Sequence, residues 1–90
     1  MHDYEIAKKI RADIKLGKIG ILEVIIQNFV NLWFRGKQFT NKGFTKKLMS
    51  FAKTYDFGYV IILNGHKQGV AIRFWEKKSQ IELGKKHNEL

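Results

Sequence analysis

The sequence predicts an α+β domain of three helices followed by a β-hairpin, with one further candidate strand at residues 18–21. Three observations predict it. Apolar residues recur at helical spacing over residues 4–16, 22–34 and 41–55. Two runs rich in β-branched and aromatic residues, Tyr59–Leu63 and Val70–Trp75, flank a polar, glycine-bearing loop at 64–69. A chain of 90 residues can enclose one modest core and not two. Residues 1–76 are expected to form that single domain, and 77–90 a basic polar tail or short helix.

In residues 4–16, Ile6, Ile10 and Ile14, with Ala7 beside them, form one apolar stripe. Lys8, Lys9, Arg11 and Lys15 fall on the other sides. Asp3 is the expected N-cap and Gly17 the expected C-cap. Lys18–Ile21 then admits two readings, a turn or a very short strand with Ile19 and Ile21 on one side.

Residues 22–34 place Leu22, Ile25, Ile26, Phe29, Leu32 and Trp33 on one wide apolar face, which Val30 and Phe34 extend. Glu23, Gln27, Asn28 and Asn31 form a narrow polar strip. Ile25 and Ile26 are mediocre helix formers, so the period carries the assignment. The surplus apolar width leaves room for a homodimer face on helix 22–34.

Arg35–Phe39 reads as a turn with Gly36 as C-cap, and Thr40 or Asn41 caps the next helix. In residues 41–55 the buried stripe is Phe44, Leu48, Phe51, Ala52 and Tyr55. It leaves Lys42, Thr45, Lys46, Lys47, Met49, Ser50 and Lys53 outside. Asp56–Gly58 ends this helix. In the second hairpin run, Val70, Ile72 and Phe74 alternate with Ala71, Arg73 and Trp75. An isolated hairpin is marginal in water and needs a third strand or a helix to lean on. A strand at 18–21 would supply one.

Lys and Arg number 17 against 8 Asp and Glu, a formal charge of +9. That exceeds the magnitude of roughly 2–8 that keeps a small domain soluble. The surplus is understood most simply if a polyanion neutralises it. The N-terminal residues lack the apolar core of a signal peptide, and the window Ile19–Phe34 is too short and too polar to span a membrane. With no cysteine in the chain, the expected location is cytoplasmic, without membrane association.

Catalytic signals are nearly absent. His2, His66 and His87 are far apart, no histidine pair has metal-ligand spacing, and the carboxylates are scattered. The glycines match neither a P-loop nor a dinucleotide fingerprint, and Ser50 and Ser79 have no glycine frame. The expectation is therefore no enzyme, no metal, no cofactor and no small-molecule substrate.

The positive signal is basic. Lys42, Lys46 and Lys53 recur at i, i+4 and i+11, with Lys47 on the same broad side. The first turns of a helix lying in the major groove reach base edges, which singles out Asn41, Lys42, Thr45 and Lys46. The hairpin adds His66 and Lys67 at its tip and Arg73 on a strand. These nine residues are the expected nucleic-acid-binding set. Trp75 has two readings, a base-stacking surface or a cover for the back of the hairpin.

The order helix, short strand, helix, turn, helix, hairpin resembles the winged-helix variant of the helix-turn-helix. Trp33 near the end of the second helix, and the spacing Thr40-x-x-x-Phe44-x-x-x-Leu48 leading to Gly58 and a hairpin, look like the C-terminal winged helix of phage and plasmid primase-helicases. The resemblance covers about Ile19 to Trp75. It implies a winged-helix-like fold in which 22–34 is the supporting helix, 41–55 the recognition helix and 64–69 the wing. It further implies duplex DNA as partner, in transcription regulation or in replication of a mobile element. The turn at Arg35–Phe39 is longer than the motif's usual 3–4 residues, and the wing tip carries only Lys67 and His66 as basic groups. Two other functions fit the same charge. One is a protein-interaction module, an inhibitor or adaptor that binds an acidic protein or nucleoprotein surface. The other is RNA binding through the Tyr59–Trp75 hairpin face.

Overall fold

A computed structural model describes residues 2–17 and 19–77. The tail expected over 77–90 lies outside them from residue 78 onward. The described chain has three helices, α1 (Asp3–Leu16), α2 (Ile26–Phe34) and α3 (Asn41–Tyr55), and three strands, β1 (Leu22–Ile25), β2 (Phe57–Leu63) and β3 (Gly69–Glu76). The strands form one antiparallel sheet in the order β1-β3-β2. The fold class is the expected α+β mix.

The third strand exists, but it is Leu22–Ile25 and not 18–21, and it takes the first four residues of the helix expected over 22–34. Leu22, Glu23, Val24 and Ile25 alternate half-buried and exposed, which is a strand's period of two. The same residues, read with Ile26 and Phe29, also satisfy the helical period. The open edge of β3 decides between the two, because it offers this segment backbone partners from Phe74 to Ala71. Ile19 and Ile21 lie outside the sheet, 78% and 42% exposed. β1 passes directly into α2, with extended Ile25 as an N-cap that makes no side-chain bond.

The cross-strand register sorts the sheet's faces. Leu22, Phe74 and Tyr59 share one face with Val24, Ile72 and Ile61, and this inner face meets the helices. Glu23, Arg73 and Val60 share the outer face with Ile25, Ala71 and Ile62. The core joins Ile6, Ala7, Ile10 and Ile14 of α1, Phe29 and Val30 of α2, and Phe44, Leu48, Phe51 and Ala52 of α3 to Phe57, Ile72 and Phe74 of the sheet. Phe74, fully buried on the central strand, lies 5.7 Å from Phe29, 6.3 Å from Phe51 and 5.8 Å from Phe57 between ring centres. Offset aromatic contacts at such distances add to the effect of burial itself.

All the apolar side chains of α2 are buried or packed against this core, so its exposed residues are Gln27, Asn28 and Asn31. Of the apolar face expected on 22–34, the α2 residues are thus taken up by the core, while Ile25 stays exposed on β1. Trp75 sits on the outer face opposite Gly58, where a Cβ would overlap its indole. Glycine at 58 is what allows the ring to lie flat on the strand. Trp75 therefore covers the back of the hairpin.

Candidate nucleic-acid interface

α3 begins at Thr40, whose side chain accepts a hydrogen bond of 2.9 Å from the Gly43 N–H. That cap satisfies one of the orphan donors of the first turn. Phe44, Leu48, Phe51 and Ala52 turn inward. Lys42, Lys46 and Lys53 consequently share the exposed side with Thr45, Met49 and Ser50. No acidic residue occurs between Asn41 and Tyr55, and none of these three lysines has an ion-pair partner among the described residues. The unpaired N–H groups of the first turn add partial positive charge at the Asn41 end.

The hairpin tip is held by Asn64. Its Oδ1 accepts from the backbone N–H groups of His66 at 2.9 Å and Gln68 at 3.0 Å. Lys67 takes a left-handed conformation with φ 60°. A groove of about 520 Å³ separates this tip from α2 and the start of α3. Asn41 and Thr45 line one wall, Lys67 and Gln68 the other, and Gln27 and Phe39 complete it. The Thr45 hydroxyl donates to the Asn41 carbonyl at 2.8 Å, so towards a ligand it offers its acceptor lone pairs. A second hollow, beside Met49, Ser50 and Lys53, is also lined by Lys77. Asn41, Lys42, Thr45, Lys46, Lys53 and Lys67 therefore belong to one helix face and its adjoining groove, with His66 exposed beside Lys67 at the tip.

Two expected residues stand apart. Lys47 turns from the lysine face to Asp3 of α1, with Nζ 2.8 Å from a carboxylate oxygen and 5.6 Å from the centre of the Trp33 ring. The other Asp3 oxygen accepts from Trp33 Nε1 at 2.9 Å. Asp3 thus ties all three helices together instead of capping α1, where His2 occupies the N-cap. Arg73 lies on the outer sheet face, paired with Glu23 across the strands at 3.2 Å and pointing away from the helices. Tyr59 and Trp75 lie on opposite sheet faces, so the hairpin presents no platform made of both.

Sequence reading missed Gln27, Gln68 and Lys77. No local pattern marks them, because the groove and the hollow arise only when β2 and β3 fold against α2 and α3. Arg11, one of the basic residues of the first helix, is structural. Its guanidinium donates to the Tyr55 carbonyl at 2.6 Å and lies 5.2 Å from the centre of the Phe57 ring.

Among the described residues no three His, Asp or Glu side chains are grouped to hold a metal ion, and no helix is long and apolar enough to cross a membrane. Comparison with protein-family models, curated proteins and solved structures finds no match to the chain.

Proposed function

We propose that this chain binds nucleic acid through the exposed face of α3 and the hairpin tip, with duplex DNA as the target. The observation that carries the proposal is the acid-free α3 face, on which Lys42, Lys46 and Lys53 have no ion-pair partner among the described residues and stand beside a groove walled by Asn41, Thr45 and Lys67. An α-helix fits the major groove, where Asn and Lys side chains at its N-terminal end can reach base edges and the remaining lysines meet phosphates. The tip, across the groove from the start of α3, then meets the backbone beside the helix. The strand order and the position of α3 support a winged-helix-like assignment, with α3 as recognition helix and the Asn64–Gln68 turn as wing.

Fluorescence anisotropy with labelled duplex DNA, single-stranded DNA and RNA across a salt series tests this. Four lysines meeting phosphates, Lys42, Lys46, Lys53 and Lys67, imply a log–log salt slope of about −3.6 on duplex. The triple variant Lys42→Ala/Lys46→Ala/Lys53→Ala should flatten that slope by about 2.7. Equal, weak binding to all three polyanions, or an unchanged slope in the triple variant, would refute the assignment. An acidic protein partner would then be the function to pursue.

A further inference from the structure

β2 is a seven-residue edge strand. The sheet order leaves one row of its backbone N–H and C=O groups without a strand partner among the described residues. Such an edge pairs readily with another strand unless short length, charge, proline or a bulge prevents it. β1, the other edge, has two of these protections, being four residues long and carrying Glu23. β2 reads FGYVIIL, without charge or proline, and its one irregularity is the register shift at its end, between Ile62 and Leu63. Val60 in its middle is 48% exposed.

We propose that β2 pairs antiparallel with β2 of a second copy of this chain about a two-fold axis at Val60, joining two three-stranded sheets into one of six strands. Three features select this occupant and this orientation. The first is side-chain matching. The register sets Val60 against Val60, Tyr59 against Ile61 and Gly58 against Ile62, and aromatic against β-branched pairs are favourable across strands. The second is net charge. At +9 per chain most surfaces of two copies repel, and β2 is a seam without charge. The third is the charge at the ends of the seam. Asp56 precedes β2 and Lys67 follows it. Antiparallel pairing brings the Asp56 carboxylate of each copy to the Asn64–Lys67 turn of the other, whereas parallel pairing would set Asp56 beside Asp56. Such a dimer is isologous, with the helices of both copies on one side of the joined sheet and the hairpin tips at opposite ends.

The proposal does not depend on nucleic-acid binding and is tested on the full chain without it. The chain has no cysteine, so Val60→Cys introduces its sole thiol. Directly opposed residues of an antiparallel pair lie about 4.5–5.5 Å apart, within reach of a disulfide. Mild oxidation of Val60→Cys is expected to give a covalent species of twice the chain mass. Ile25→Cys, 59% exposed on the outer face of β1, is expected to stay single. In sedimentation equilibrium the unaltered chain should dimerise, and Val60→Lys and Val60→Glu should each lose the dimer. An equal mixture of the two should regain it, because each lysine then meets a glutamate. A chain that sediments as a single copy at every concentration, a Val60→Lys chain that still dimerises, or cross-linking through Ile25→Cys in place of Val60→Cys would overturn the proposal.

Discussion

Lys46 and Lys47 are neighbours in sequence and differ in what they touch, so replacing each by alanine separates binding from stability. Lys46 is exposed and has no ion-pair partner among the described residues. Alanine is at least as good a helix former, so Lys46→Ala should change the unfolding free energy by under about 0.5 kcal/mol. Lys47 bonds Asp3 at 2.8 Å, with side chains 40% and 30% exposed, and lies over Trp33. At that exposure the ion pair contributes about 0–1 kcal/mol and the cation–π contact about 0.5–1 kcal/mol. Lys47→Ala should therefore destabilise the fold by about 0.5–2 kcal/mol. In urea unfolding this appears as a lower midpoint with an unchanged slope. In the anisotropy salt series the effects reverse. Lys46→Ala should lower the log–log slope on duplex DNA by about 0.9, and Lys47→Ala should leave it where it was. A Lys47→Ala protein of full stability that loses the same slope as Lys46→Ala would refute the tie through Asp3 and return Lys47 to the binding face.

Further outcomes follow from contacts elsewhere in the fold. Gly58→Ala should destabilise the protein by about 1–3 kcal/mol in urea unfolding, because the new methyl overlaps the Trp75 indole, and the change should also register in tryptophan fluorescence. Thr40→Ala removes the α3 cap and should lower stability by about 1 kcal/mol, measured the same way. Asn64→Ala removes the acceptor for two backbone N–H groups at the hairpin tip. It should reduce stability by about 1–2 kcal/mol and weaken duplex binding through the misplacement of Lys67. Duplex binding that is unaffected by Asn64→Ala would argue against a role for the tip.

How much of this was legible in the sequence depended on whether a segment's partners were local. α3 could be read closely, because Phe44, Leu48, Phe51 and Ala52 satisfy one period only and Thr40 is a strong N-cap. The hairpin was equally plain from its β-branched runs and the Asn64–Gly65 turn. β1 was not, because Leu22–Phe29 fits both periods and the choice rests on an edge some fifty residues away in sequence. The same limit governed the site. The lysine face of α3 follows from helical spacing alone. The withdrawal of Lys47 to Asp3, forty-four residues apart, and the pairing of Arg73 with Glu23, fifty residues apart, depend on the assembled fold. Asp3 resembled a cap because acids favour helix starts, and only the positions of Trp33 and Lys47 show the carboxylate's other use.

The strand order has a consequence for how the chain reaches this state. The middle strand of the sheet, β3, is the last of the three in sequence, so β1 and β2 have no strand to pair with until β3 has been synthesised. Until then Leu22–Ile25 sits next to α2 with a pattern that suits another helical turn. Forming the sheet then requires that segment to pair with β3 and to close a loop of about fifty residues. Long-range closure of this kind slows folding. The folding barrier is thus expected to lie at the arrival of β3 beside β1, with α1 and α3 free to form beforehand.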